Sequence, residues 1–278
     1  MKKISRRSFL AAAGLSVAAL ALTACGGSAS SVASSVASSA SSAAASTSAA
    51  AGELTTVEAG KLTMATNAAF PPYEMTTDAG EFEGIDIETA QAIADKLGLE
   101  LQIDDMDFDA ALLSVQQGKA DIVMAGVTVT DERKAVMDFS DSYATGIQSI
   151  IVPEGSDIAS PDDLADKMIG TQRGTTGYIY CSDDFGDESV VAYDDGLTAV
   201  QALNNGQVDA VVIDNAPAQE FVAANPGLKI LDTSYAEEDY AIGMAKNSPL
   251  EDAVNSALEE LKADGTLQSI VDKYITAE

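Results

Sequence analysis

Two charged side chains stand where they could bind the opposite ends of a zwitterion. Arg133 follows Thr130, a good helix cap, and a cation in the first turn of a helix is unfavourable unless it binds an anion there. Asp214 ends an apolar run that is typical of a buried strand. A guanidinium can hold a carboxylate through two parallel hydrogen bonds, and a carboxylate can accept from an ammonium group. The ordinary roles stay open, since Arg133 could balance neighbouring acids at the surface and Asp214 could cap the next helix.

Two further segments offer binding groups. Residues 174–177 follow a predicted strand at 168–171 and should open a helix, so their free N–H groups could cradle an anion. They lack the lysine and the spacing of a phosphate loop. Three aromatic residues near predicted strand ends could enclose an apolar side chain, although such residues more often belong to the core. They are Phe70, Tyr73 and Phe108.

The composition limits the kinds of partner and of chemistry. The chain of 278 residues has 44 acidic and 15 basic residues, a net charge of −29. Such acidity argues against nucleic acid or anionic lipid as a partner and favours a well-solvated surface. Histidine is absent, which removes the commonest general base and the commonest metal ligand. We therefore expect no metal, no cofactor and no catalytic residue, since no dense pair of acids is apparent at the expected cleft.

Short apolar runs alternate with helical patterns from residue 62 onward. Residues 62–65 and 99–103 are predicted strands, and the helical pattern between them ends at Gly98. Asp109 is expected to cap a helix running to Gln117, and 122–127 are expected to form a buried strand. This alternation predicts an α/β fold with largely parallel sheets flanked by helices.

One segment of the chain occurs twice. Residues 111–123 and 199–211 each contain a helical pattern, then a glycine, an aspartate and a strand. A single match could arise by chance, but one in each half predicts two lobes of similar build. Ligands of open α/β sheets bind beyond the carboxyl ends of strands, so we expect 126–128 and 213–214 to face each other across a cleft.

The N-terminus predicts export. Residues 1–24 have a basic start, an apolar stretch too short to span a bilayer comfortably, and small residues before Cys25, as in a signal peptide ending in a lipobox. We expect Cys25 to carry a lipid, 25–53 to form a flexible tether rich in Ser and Ala, and the protein to be anchored to the membrane outside the cytoplasm. A chance cysteine after an ordinary signal is the alternative, and two adjacent arginines leave the export route open. With Cys25 acylated only Cys181 remains, which excludes an intrachain disulfide.

A set of short motifs runs in order along residues 62–275. They are ATNAAFPPYE at 65–74, GIDI at 84–87, MDFD at 106–109, AGVTVTDERK at 125–134, DFS at 138–140 and GTTG at 174–177. Together they resemble the polar amino-acid-binding proteins of ABC importers, which are family 3 solute-binding proteins with the type II periplasmic binding fold.

The resemblance implies a ligand site built from both lobes. Arg133 would take an α-carboxylate together with the amides of Thr128 and Thr176. Asp214, the Gly126 carbonyl and the Thr128 hydroxyl would hold an α-ammonium group. The positions that flank the ligand side chain or read its far end would be Phe70, Phe108, Asn67 and Gln172.

The resemblance also implies binding by hinge closure without turnover. Lobe one would comprise 54–146 and 239–278, and lobe two 147–238, with crossover strands near 143–147 and 239–243. The ligand would be a free amino acid, which a monomeric protein hands to the membrane permease of an ABC importer. A sensing ectodomain for a partner receptor and a dehydratase-like enzyme are the alternatives on the same fold.

The kind of amino acid depends on Asn67. Several relatives for glutamine or cationic ligands have an aspartate where Asn67 stands, and some arginine binders have an acid beside it, whereas Asn67, Ala68 and Ala69 are all neutral. An asparagine can both donate and accept, which suits an amide or a hydroxyl. We therefore expect a polar uncharged side chain on the ligand. A cationic one would depend on Asp107, Asp194 or Asp195.

Overall fold

The computed structural model describes residues 54–275, in which strands and helices alternate. The strands are β1 (Lys61–Thr66), β2 (Ala69–Phe70), β3 (Glu74–Thr76), β4 (Phe82–Glu83), β5 (Glu100–Asp105), β6 (Ile122–Val123), β7 (Met137–Phe139), β8 (Ala144–Pro153), β9 (Ile169–Gln172), β10 (Val190–Tyr193), β11 (Ala210–Asp214), β12 (Leu228–Ile230), β13 (Ala236–Tyr240) and β14 (Gly243–Ala245). The helices are α1 (Ile85–Leu97), α2 (Phe108–Gln116), α3 (Asp131–Val136), α4 (Thr176–Phe185), α5 (Gly196–Asn204), α6 (Asn215–Ala224), α7 (Glu251–Ala263) and α8 (Thr266–Tyr274). The predicted signal peptide, Cys25 and the predicted tether lie outside the described residues.

Helices cover two main sheets, which confirms the predicted α/β architecture. The first sheet has the order β5-β1-β6-β14-β7, in which β1 is parallel to β5 and β6 and β14 is antiparallel to β6 and β7. The second has the order β10-β9-β11-β8-β12, with β13 also paired to β8. There β9 is parallel to β10 and β11, whereas β8 is antiparallel to all of its partners. The sheets are therefore mixed rather than mostly parallel, because the strands next to the chain crossovers run against their neighbours.

The chain passes between the two sheets twice. It leaves the first sheet after β7 to enter β8, and it returns from β13 to β14. β8 and β13 pair with each other, from Tyr240 opposite Ala144 to Ala236 opposite Gln148. We call each sheet with its packed helices a lobe. The residue bounds given above for the lobes stay a prediction.

Helix α1 shows how the sequence builds a covered sheet. Its buried side chains include Ala90, Ile93 and Ala94, which recur at helical spacing and face the core of the first lobe. Gly98 ends the helix as predicted, with φ 70°, a left-handed conformation that glycine adopts without steric cost. The chain can then turn directly into β5, parallel to β1.

The predicted strand at 122–127 is much shorter in the structure. β6 pairs with β1 and β14 only at Ile122 and Val123. Gly126 has φ 54°, and its N–H donates to the side chain of Asp86 at 3.0 Å instead of to a strand. The chain therefore leaves the sheet early and carries 126–128 across the end of the first lobe.

The predicted helix cap at Asp109 is also wrong. Helix α2 begins at Phe108, and Asp107 occupies the capping position. The amide of Ala111 donates to the carbonyl of Asp107 at 2.9 Å, which starts the helical hydrogen bonds two residues earlier than expected. Asp109 thus lies in the first turn.

Among residues 54–275 no helix has both the length and the apolar character that crossing a bilayer would require.

Candidate functional site

A cleft between the lobes brings together all nine predicted ligand-binding residues. The first lobe contributes the segments after β1 and β6 and the starts of α2 and α3. The second contributes the end of β9, the start of α4 and the end of β11. The side chains and backbone that line the cleft belong to Asn67, Phe70, Glu74, Phe108, Ala125, Gly126, Thr128, Arg133, Gln172, Thr175, Thr176 and Asp214.

Arg133 is a buried cation and not a surface residue. Its side chain is 8% exposed, and its Nη1 and Nη2 donate to the carbonyls of Thr128 at 2.7 Å and Gly174 at 3.1 Å. The guanidinium lies 5.4 Å from the centre of the Phe108 ring. No carboxylate of the described residues comes within ion-pair distance of it. Burial lowers the pKa of this guanidinium, so an anion in the cleft would stabilise it.

Two backbone N–H groups complete an anion site beside Arg133. Thr176 begins α4, which the Thr175 hydroxyl caps by accepting from the amide of Tyr178 at 3.3 Å. The amides of Thr176 and Thr128 donate to no other group of the described chain. The helix N-terminus, these amides and the guanidinium converge from both lobes, an arrangement suited to a carboxylate.

Asp214 provides the opposite charge. It occupies the capping position of α6, but its side chain makes no capping hydrogen bond. The carboxylate accepts instead from the Tyr240 hydroxyl and from Nε2 of Gln148, the latter at 2.8 Å. It is 7% exposed, and burial raises its pKa to about 6, so it is mostly ionised at neutral pH. Of the two alternatives for Asp214, the structure supports a side chain directed to the cleft.

Two amide side chains meet at the far end of the cleft. Nε2 of Gln172 donates to Oδ1 of Asn67 at 2.8 Å, which joins the lobes. Asn67 donates in turn to the carbonyl of Met106 at 2.9 Å. Phe70 and Phe108 line the space between these amides and the charged groups. Tyr73 does not join them, because its ring packs edge-on against Tyr240 at 5.2 Å.

The acids considered for a cationic ligand do not line the cleft, although the backbone carbonyl of Asp194 accepts from Nε2 of Gln172 at 3.3 Å. Asp107 and Asp194 line a separate cavity that also contains Arg173. Arg173 lies 3.5 Å from the Asp194 carboxylate. Asp195 caps α5 by accepting from the amide of Thr198 at 2.7 Å.

Glu238 is a site residue that the sequence patterns did not reveal. Its Oε2 accepts from the hydroxyls of Thr176 at 2.8 Å and Thr128 at 3.2 Å and from Nε2 of Gln148 at 3.1 Å. One buried oxygen on a crossover strand thus joins both lobes. The alternation of β13 was a usable signal, because Glu238 must share a face with Tyr240.

A buried pair of acids also borders the cleft, so the expectation that none exists there is wrong. Glu74 and Asp86 are both fully buried, and their carboxyl groups lie against each other. Each is flanked by large apolar residues, Tyr73 and Met75 beside Glu74 and Ile85 and Ile87 beside Asp86, and this pattern was the available signal.

Substitution of Glu238 tests whether its hydrogen bonds to both lobes stabilise the fold. We expect Glu238→Ala to lower the free energy of unfolding by about 1–3 kcal/mol, because three buried donors lose their acceptor. Urea denaturation measures the change. Glu237→Ala, at the exposed neighbouring position of β13, should change it by less than about 0.5 kcal/mol. Equal effects of the two substitutions would contradict the role given to Glu238.

Comparison with known proteins agrees with this geometry. The family model of bacterial extracellular solute-binding proteins, family 3, matches residues 62–277. The L-cystine-binding protein TcyJ of Escherichia coli is 32% identical over 226 residues, which cover 80% of this chain and 85% of that one. The arginine-, lysine-, histidine-binding protein ArtJ of Geobacillus stearothermophilus superposes with a TM-score of 0.75 at 34% identity, over 78% of this chain and 96% of that one. An ancestral arginine-binding protein bound to glutamine has a TM-score of 0.75 at 41% identity, over 78% and 99%.

These relatives confirm both the predicted two-lobed periplasmic binding fold and the prediction of a binding protein rather than an enzyme. The chain belongs to the bacterial extracellular solute-binding proteins of family 3.

Proposed function

We propose that the protein binds a free α-amino acid in the cleft and hands it to the permease of an ABC importer. The observation that carries the proposal is that, among residues 54–275, the cleft holds a buried guanidinium with no carboxylate at ion-pair distance and a buried carboxylate with no cation at that distance. An amino-acid zwitterion supplies both missing charges. The printed names of the relatives, which include cystine- and arginine-binding proteins, support this class of ligand.

Binding would work by closing the lobes. Arg133 and Thr128 belong to the first lobe, whereas Thr176 and Asp214 belong to the second, so a ligand can contact all of them only when the cleft is closed. The ligand therefore shifts the population toward the closed state. Hydrogen bonds to charged groups contribute about 1.5–3 kcal/mol each. Four or five of them, less the costs of ordering, support micromolar affinity, about −8 kcal/mol.

We further propose that the ligand has a polar uncharged side chain, with L-glutamine as the best candidate. The far end of the cleft presents amides from Asn67 and Gln172, which can donate to and accept from a ligand amide. The ancestral arginine-binding protein whose structure is bound to glutamine supports this class of ligand.

Titration calorimetry with L-glutamine, L-arginine, L-histidine and L-cystine tests the choice of ligand. We expect L-glutamine to bind most tightly. Asn67→Asp should reverse the preference between glutamine and arginine, because a carboxylate at this position pairs with a guanidinium and loses the amide's donor. If arginine binds the unaltered protein more tightly than glutamine does, the uncharged ligand class is wrong, and if none of the four binds, the amino-acid function is wrong.

Arg133 should dominate the affinity. We expect Arg133→Ala to weaken binding of the best amino acid by at least roughly a hundredfold, because the ligand carboxylate would be buried without its partner. Arg173→Ala is the matched control, since this arginine is exposed outside the cleft. A calorimetric loss at Arg133 of less than about fivefold would rule out the role proposed for it.

We also propose that a lipid on Cys25 anchors the protein to the cell membrane. The order of basic, apolar and small residues before Cys25 supports this proposal. Cell fractionation tests it. Cys25→Ser should move the protein from the membrane fraction to the soluble extracytoplasmic fraction, and continued membrane retention of that variant would contradict the anchor.

A further inference from the structure

A pair of acidic side chains lies beneath the cleft, and no Lys or Arg of the described part of the chain forms an ion pair with either of them. The carboxyl groups of Glu74 and Asp86 meet, and neither oxygen of Glu74 accepts a hydrogen bond from an N–H or O–H group of the described chain. Oδ2 of Asp86 accepts from the Tyr143 hydroxyl at 2.8 Å and from the amide of Gly126 at 3.0 Å. Oδ1 of Asp86 has no other donor, so it is the oxygen left to receive a proton from Glu74.

The surroundings of the pair are acidic on every side. The titratable groups that act on it are the carboxyl groups of Asp105 and Asp214 and the phenols of Tyr73 and Tyr143. Burial and these neighbours raise the pKa of Glu74 well above its usual range. Two ionised carboxylates in contact, buried and without a cation, would cost far more than one shared proton.

We propose that Glu74 and Asp86 share one proton at neutral pH and that this pair anchors the backbone at Gly126, which lies at the ligand's ammonium end of the cleft. The part that concerns the ammonium group rests on the proposed function. The protonated carboxyl of Glu74 donates to the carboxylate of Asp86. This carboxylate also accepts from the amide of Gly126 and the hydroxyl of Tyr143. Gly126 is closely packed, since a Cβ there would lie 2.8 Å from the Phe70 ring. Tyr143 directly precedes β8, so the pair also holds the start of a crossover strand.

The shared proton has a consequence for stability that can be measured without a ligand. A glutamic acid in the unfolded chain ionises near pH 4.3, whereas Glu74 in the folded protein ionises only at higher pH. Between these values the folded state binds more protons, so the unfolding equilibrium constant should rise with pH by up to about tenfold per unit. The stability that protonated Glu74 contributes is complete below the pKa of this residue in the unfolded chain. It is lost as the pH rises through its pKa in the folded protein.

The first experiment compares Glu74→Gln with the unaltered protein by urea denaturation between pH 5 and pH 9, without ligand. The side-chain amide of glutamine can donate at every pH, because it does not ionise. The variant should therefore gain stability relative to the unaltered protein as the pH rises, by a total of tenfold or more in the unfolding equilibrium constant. Glu83→Gln removes an exposed charge on the nearby β4. Its free energy of unfolding should differ from that of the unaltered protein by the same amount at every pH. If the difference for Glu74→Gln is also independent of pH, the proposal of a shared proton is wrong.

The second experiment needs no variant that might fail to fold. The infrared spectrum of the unaltered protein at pH 7 should contain the carbonyl stretch of a protonated carboxyl, which exposed acids do not contribute because they are ionised at that pH. Its absence would overturn the proposal. Its loss in Glu74→Gln and its retention in Glu83→Gln would assign it to the pair.

The third experiment separates a positioning role from a merely structural one. Calorimetry with L-glutamine should show that Glu74→Leu, which has no donor, binds at least about tenfold more weakly than Glu74→Gln. Equal affinities would show that the pair does not position the site. If L-glutamine does not bind the unaltered protein, the proposed ligand is wrong, while the first two experiments still decide whether the pair shares a proton.

Discussion

The cost of burying a charge without its partner governs this structure. Arg133 and Asp214 are both removed from water, yet their hydrogen-bond partners among the described residues are uncharged, carbonyls for Arg133 and a phenol and an amide for Asp214. Hydrogen bonds of this kind hold a charged side chain in place without neutralising it. On the proposed function, a ligand that brings the counter-charges would stabilise the closed cleft, so that binding free energy would favour closure.

The crossover strands connect the buried charged groups of the cleft to both lobes. β8 and β13 pair with each other, and each places one polar side chain, Gln148 and Glu238, under the cleft. These two residues contact Asp214, Thr128 and Thr176, so the groups proposed to meet the ammonium and carboxylate ends share a support. A change at one end of the ligand can thus reach the other through only a few hydrogen bonds.

Local patterns were sufficient to predict much of the fold. Glycine after a helical run located the end of α1, Thr130 was recognised as the cap of α3, and the repeated segment indicated two lobes. These signals are contained within a few residues. β6 was overestimated because the apolar run continues past the point where Gly126 turns away to bond Asp86, a partner 40 positions earlier.

The side chains that were missed have partners on other elements of the fold. Glu238 bonds Thr128 across 110 positions, and the contact of Glu74 with Asp86 depends on how β3 packs against α1. Neither pairing follows from the pattern of a single strand or helix, so the role of these side chains becomes visible only when the elements are assembled. The nine cleft residues named beforehand came mainly from motifs shared with a family, in which the assembly is already implicit.

The hydrogen bond between Asn67 and Gln172 would allow the cleft to discriminate between ligand side chains. On the proposed function, a ligand side chain that reaches the far end of the cleft would have to displace this bond. An amide replaces what it removes, because it offers both a donor and an acceptor. A leucine or methionine tail would separate the two side chains and leave Oδ1 of Asn67 without its donor, and such a mismatch discriminates between ligands far more strongly than a missing methylene. On the proposed function, this one contact between the lobes would favour ligands whose side chains can replace its donor and its acceptor.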